Sequence, residues 1–145
     1  MLKFVTISRI EMRRRIVTLF AAVAAMCGCG TSKYVTYAPD DFQTVLAEPG
    51  LQLVDVRTGE EFSEGHIAGA SNYDVYAEDF LDQCTAALDK ARPVAVYCRS
   101  GRRSANAALQ LKKAGFKRVL NLDGGIQGWI DAGKAITSQD VRPND

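Results

Sequence analysis

The sequence predicts an α/β fold, a rhythm of about five mostly parallel strands in an open sheet flanked by helices. Three observations predict it. Strand-type and helix-type segments alternate from residue 33 to residue 133, the pattern that produces a parallel sheet. "PVAVYC" (93–98) is a nearly continuous apolar run, as a parallel strand buried on both faces requires. The chain has 145 residues, 47% of them apolar, enough to bury the core of one ordinary domain.

"KYVTY" (33–37) reads as the first strand. "PDDFQTVLAE" (39–48) reads as a helix, with Pro39 in its first turn and acids where the helix dipole favours them. "LQLVDV" (51–56) is a strand entering the core, and "TGEEFSEG" (58–65) a short helical turn stopped by Gly65. "GASNYD" (69–74) is a short strand. Residues 77–91 form a helix, with Phe80, Leu81, Cys84 and Leu88 on one face by their spacing of three and four. The strand 93–98 follows, then a helix over 102–115 ended by Gly115. "RVLNLDG" (118–124) is the last strand, and "GIQGWIDAG" (125–133) closes with a short helix. In such folds ligands bind outside the carboxyl ends of the strands. Asp55, Cys98 and Asp123 all fall at or near such ends, so one rim is expected to collect them.

The front of the chain reads as a targeting segment. Arg13, Arg14 and Arg15 make a basic region ahead of "IVTLFAAVAA" (16–25), which is too short for the ~20 residues of a membrane span but suits a signal-peptide core. "MCGCG" (26–30) is similar to a bacterial lipobox. Cys29 follows the small Gly28, whereas Cys27 follows the bulky Met26, so lipidation is expected at Cys29. Translation from Met12 would shorten the basic region to an ordinary length. The other reading is an uncleaved anchor helix. Both place the domain outside the cytoplasm, periplasm-facing and tied to a membrane through the N-terminus. The expected organisation is a leader over 1–28, a short linker over 29–32, the domain over 33–137 and a tail over 138–145.

The net charge of +1 conceals a division: residues 1–28 carry +4, so the remainder carries −3. A mildly acidic body argues against nucleic acid as partner. "KKAGFKR" (112–118) is basic, but reads as a solvated helix end. The body's two cysteines, Cys84 and Cys98, form no disulfide framework and have no metal-ligand spacing, so neither a metal nor a cofactor is expected.

"VAVYCRSGRRS" (94–104) carries the chemistry. The strand ends at Cys98 and a helix begins within about four residues, with Gly101 allowing a tight turn. Amides near a helix N-terminus lack helical partners and cradle an anion. A thiol in that cradle has a depressed pKa, because its thiolate is the stabilised form. Arg99, Arg102 and Arg103 recruit an anionic substrate, and Ser100 and Ser104 add hydroxyl donors. The layout describes a cysteine nucleophile rather than a buried structural cysteine. A tyrosine-phosphatase signature needs five residues between cysteine and arginine; here Arg103 arrives one place early and Ser104 occupies the required position.

The loop "CRSGRRS" (98–104) resembles the rhodanese loop C-x-x-G-x-R-[SA]. "LVDVR" (53–57), "EEF" (60–62) and "GHIAGASN" (65–72) resemble that family's first half, and "NLDGGIQGWIDAGKAI" (121–136) its closing segment. The motifs stand in the family's order, and the resemblance covers about residues 33–137. The resemblance implies a single-domain thiosulfate sulfurtransferase. An anionic donor such as thiosulfate passes its outer sulfur to Cys98, sulfite leaves, and a thiophilic acceptor, cyanide or a thiol, takes the sulfur from the persulfide. Ping-pong kinetics are implied. The six-residue loop from Cys98 to Arg103 implies a cradle sized for a persulfide.

The same resemblance distributes roles. Cys98 is the nucleophile, and Arg99, Ser100, Gly101, Arg102 and Arg103 form the substrate loop, with Arg99 and Arg102 drawing in the donor. Arg103 either binds substrate or braces the loop. Asp55 and Arg57 match the family's D-x-R as supporting residues: Asp55 fixes nearby backbone, while Arg57 borders the pocket or pairs with Glu61. Ser104 supports the loop. His66, the lone histidine, has a structural role, and Trp129 and Cys84 read as core. Cys84 would become a redox partner of Cys98 only if the fold brought the two thiols together. The competing readings are a non-catalytic module that holds an anion or a partner, and a phosphatase or arsenate reductase, which the loop length disfavours.

Overall fold

The computed structural model describes residues 33–138; the expected leader, the expected lipidation site at Cys29, the expected linker 29–32 and all but the first residue of the expected tail lie outside them. Five strands, β1 (Val35–Tyr37), β2 (Gln52–Asp55), β3 (Ser71–Asn72), β4 (Val94–Tyr97) and β5 (Val119–Leu122), form one sheet in the order β1-β5-β4-β2-β3. Every ladder is parallel, with Val54 level with Val96 and Ser71, and Ala95 level with Leu120. The pairing of His66 with Thr137 is an isolated antiparallel bridge.

Helices cover both faces, which is why β4 at the centre is apolar throughout. On one face Val94 and Val96 meet Phe80 and Cys84 of α3 (Phe80–Ala87) and Ala107, Ala108 and Leu111 of α4 (Arg102–Lys113). On the other, Ala95 and Tyr97 meet Phe42 and Val45 of α1 (Pro39–Leu46) and Ile126 and Trp129 of α5 (Gly125–Asp131). The period of two in the strand and of three to four in the helices sorts these side chains onto their faces. Phe42 and Trp129 meet edge to face at 6.3 Å, locking α1 to α5.

The short α2 (Gly59–Glu64) is held by a capping box: the Thr58 hydroxyl accepts from the Glu61 amide, and the Glu61 carboxylate accepts from the Thr58 amide. Most elements end one to three residues inside their sequence pattern, and two are much shorter than it. The expected helix over 77–91 is helical only from Phe80 to Ala87. Leu88 is extended, the Asp89 carboxylate bends the chain by accepting from the Ala91 amide, and Arg92 precedes Pro93, where helix is disfavoured. The expected strand over 69–74 is reduced to Ser71–Asn72, because it lies at the sheet edge and pairs with β2 alone. Since all five strands run the same way, Asp55, Cys98 and Asp123 lie together on the carboxyl rim.

Candidate active site

Cys98 follows the last residue of the central strand, and the chain turns over its sulfur. Gly101 has φ +97°, a left-handed conformation that other residues adopt with strain, and this turn aims its amide at Cys98 Sγ, 3.1 Å away. The Ser104 hydroxyl, from the first turn of α4, lies 3.4 Å from the same sulfur and 3.2 Å from the Gly101 carbonyl. Burial pushes the thiol pKa up. The Ser104 hydroxyl and the amides of Ser104, Ser100 and Gly101 outweigh it, so the pKa lies below the ordinary cysteine value. Cys84 shows what burial does alone: it lies in the same apolar cluster, and its thiol is pushed up to about 12. Both cysteines are free thiols.

The loop is held from below by the closing segment. The Ile126 amide donates to the Cys98 carbonyl at 2.8 Å, and the Gln127 amide to the Arg99 carbonyl at 3.1 Å. Such close approach requires Gly125: a Cβ there would lie 2.5 Å from the Cys98 and Arg99 carbonyl oxygens, and its φ is +60°. The Gly-Gly pair is thus a seat for the nucleophile's loop, a role its sequence position alone does not disclose.

The three loop arginines separate. Arg103 is engaged: it donates to both Glu61 oxygens, at 2.7 and 2.8 Å, which ties α4 to α2 and raises the arginine's pKa while lowering that of Glu61 to about 2. Arg99 and Arg102 are exposed, and neither guanidinium has an ion-pair or hydrogen-bond partner among the described residues. They open onto different clefts. Arg102, Arg103, Ser100, Tyr76, Asn106 and Gln110 line one of about 560 Å³; Arg99 lines another of about 250 Å³ with Arg57, Glu64 and Gln127. Arg103 also lies over the exposed Tyr76 ring, 5.7 Å from its centre.

Asp55 and Arg57 form a buried pair. The carboxylate accepts from the Arg57 side chain at 2.6 and 3.0 Å and from the Arg57 amide at 2.9 Å. Arg57 also donates to the Gly65 carbonyl at 2.7 Å. It therefore pairs with Asp55, while Glu61 belongs to Arg103. The reason is reach: Asp55 lies two positions away on the same strand end, whereas α2 aims Glu61 at α4. Asn72 donates to the carbonyls of Asp55 and Arg57 and holds β3 to this corner. His66 stacks on Phe62, 3.8 Å between ring centres, and its Nδ1 lies 2.9 Å from the Phe62 carbonyl, a bracing position. Asp123 is exposed on the same rim. Among the described residues no group of three or more His, Cys, Asp or Glu side chains is placed to hold a metal ion.

Chemically, the arrangement offers a thiolate in a ring of donors, beside two unpaired guanidinium groups. Comparison with known proteins agrees with that layout. A thiosulfate sulfurtransferase of Arabidopsis thaliana, number 18 of its series, is 34% identical over 110 residues, spanning 68% of this chain and 81% of the relative. The thiosulfate sulfurtransferase GlpE of Pseudomonas aeruginosa is 38% identical over 94 residues, spanning 64% of this chain and 82% of the relative. Among solved structures, a rhodanese-like domain from Anabaena superposes with a TM-score of 0.65 at 26% identity, covering 78% of this chain and 87% of that one. The family model of the rhodanese-like domain matches residues 38–132, from the start of α1 to the end of α5, and the chain belongs to that family.

Proposed function

We propose that this protein is a thiosulfate sulfurtransferase that carries sulfur on Cys98. The Cys98 thiolate attacks the outer sulfur of thiosulfate; the sulfur–sulfur bond of the donor breaks, and its electron pair leaves with sulfite. The loop amides that face the thiolate then face the persulfide. A thiophilic acceptor, cyanide or an organic thiolate, attacks the outer sulfur and returns Cys98 as thiolate, completing two displacements. The donors favour the thiolate form of Cys98 and sulfite departs as an anion, so the step calls for no general base. The observation that carries the reading is the donor set on Cys98 Sγ, from Gly101, Ser104 and the neighbouring amides, which lowers the thiol pKa despite burial. The unpaired Arg99 and Arg102 supply attraction for the doubly charged donor. The leader over 1–28 supports an extracytoplasmic, membrane-attached site of action, with Cys29 as the lipidated residue.

The test is the intact mass of the reduced protein before and after thiosulfate, beside Cys98→Ser. A gain of one sulfur atom in the wild type and none in the variant is expected. No gain on fully reduced thiols overturns the reading in favour of an anion- or partner-binding module. Phosphate-ester and arsenate assays run alongside are expected to be negative, because Arg103 closes the loop one residue too early for a phosphoryl-sized group.

A further inference from the structure

Since the sheet is wholly parallel, the amino ends of its strands share the rim opposite Cys98. The chain enters the domain at this rim, where Lys33 and Tyr34 lead into β1 and Val35 is level with Leu120. Basic residues gather there from three separate stretches. Lys90 and Arg92 precede β4; Lys117 and Arg118 precede β5; Lys112 and Lys113 end α4, which runs back along the sheet. Their backbones interlock: the Lys117 amide donates to the Lys90 carbonyl at 3.0 Å, and Lys112 Nζ reaches the Lys117 carbonyl at 2.9 Å. The described carboxylates at this end are Glu48, which is paired with Arg118, and Asp89, which accepts from the Ala91 amide. The cations therefore exceed the acids on this rim, although the chain beyond residue 28 carries −3. What reads in sequence as the solvated end of one helix is in the fold part of a basic cluster in which Lys90, Lys112 and Lys117 are joined through backbone carbonyls.

We propose that this rim lies against anionic phospholipid headgroups and holds the domain with Cys98 facing away from the bilayer. Charge is the first argument: each Lys or Arg held near an anionic membrane surface tightens binding roughly fivefold, within a Debye length of ~8 Å. Reach is the second. Cys29 and Lys33 are four residues apart, at most about 14 Å of extended chain, so an anchor at Cys29 would keep Lys33, where the chain enters this rim, within that distance of it. Nucleic acid is the weaker partner, because Phe116 is buried beneath Lys90 and Tyr34 packs partly buried against the core, which leaves bases little stacking surface. The proposal uses the leader as the source of proximity. It is independent of the sulfurtransferase reading, since no residue of the 98–104 loop takes part.

The experiment is lysine acetylation, read by mass spectrometry, on the full chain reconstituted in vesicles of phosphatidylcholine alone or phosphatidylcholine with phosphatidylglycerol. Lys90, Lys112, Lys113 and Lys117 should label severalfold more slowly on the anionic vesicles, and high salt should erase the difference. Lys134, paired with Asp40 at the opposite rim, should label alike on both. In the double variant Lys113→Glu, Lys117→Glu, protection of Lys90 should fall, while uptake of sulfur or retained helical signal reports that the variant is folded. Equal labelling on both vesicle types, or undiminished protection of Lys90 in the folded variant, overturns the proposal. Protection by duplex DNA but not by anionic vesicles overturns it in favour of nucleic acid.

Discussion

Cys98 shares its sulfur with one hydroxyl that can be removed without touching the backbone. The Ser104 side chain is the strongest of the donors that lower the thiol pKa. The sign follows directly: a depressed pKa means a larger thiolate fraction at any given pH, and deleting a donor to the thiolate raises the pKa. Ser104→Ala should therefore move the pH dependence of Cys98 alkylation upward by about one pH unit, the scale of one hydrogen bond to a charged group. Alkylation rates with iodoacetamide across pH measure it, and an unmoved profile would show that the amides suffice. The arginines divide in the same way. Arg102 is exposed and unpaired, so Arg102→Ala should lower kcat/KM for thiosulfate by about tenfold and flatten its dependence on salt. Arg103 is held by Glu61, and Arg103→Ala should instead loosen the loop, costing about 1 kcal/mol of stability at this part-exposed pair and reducing kcat. Salt-dependent kinetics on the two variants separate attraction from bracing.

At the scale of elements, the site is a strand end, a loop and two helix starts in contact. α4 supplies Ser104, and the loop before it supplies the amides of Ser100 and Gly101; α5 supplies the amides beneath the loop, bonded to the Cys98 and Arg99 carbonyls. The second contact depends on the absence of one side chain. Gly125→Ala places a Cβ 2.5 Å from backbone oxygens that cannot move without shifting the nucleophile, at a φ of +60°. The strain at such a φ alone is about 1–3 kcal/mol, and the clash adds to it. The expected outcome is a lower urea midpoint together with loss of sulfur uptake, checked by unfolding curves and by mass after thiosulfate. Gly133, with φ +75° and open space at its Cβ, is the control: Gly133→Ala carries the strain but no clash, and should leave sulfur uptake intact.

Over the whole molecule, what was legible in the sequence was whatever is local. A nearly continuous apolar run marks β4, Gly101 marks the turn over the sulfur, and the order of elements implies one rim for Asp55, Cys98 and Asp123. What was not legible was pairing across the chain. Glu61 and Arg103 are 42 positions apart, and nothing in either neighbourhood selects Arg103 over Arg57 as the partner; the direction of α2 decides it. The same limit hides the extent of the Asp55–Arg57 pair, whose motif spans three residues but whose bonds join four parts of the fold. It holds the end of β2 and the carbonyl of Gly65. Asn72 of β3 binds the carbonyls of both its members, and the Tyr97 ring of β4 lies 5.8 Å beneath the guanidinium. Asp55 is fully buried and Arg57 is 6% exposed, so removing the carboxylate leaves a buried charge without its counter-ion, held only by the Gly65 carbonyl and the Tyr97 ring. Such a loss costs about 3–5 kcal/mol, a large part of the ~5–15 kcal/mol that holds a domain together. Asp55→Ala should lower Tm by roughly 15–30 °C, on the scale of a domain of this size. Asp55→Leu combined with Arg57→Met removes both charges and should recover part of that loss, the rest remaining because the Gly65 carbonyl and the Arg57 amide still lack partners. Thermal unfolding followed by circular dichroism compares the three proteins. Because neither side chain bonds Cys98 Sγ, the Asp55→Ala protein held well below its Tm should still take up sulfur from thiosulfate. A variant that is folded yet inert would move Asp55 from the scaffold into the chemistry.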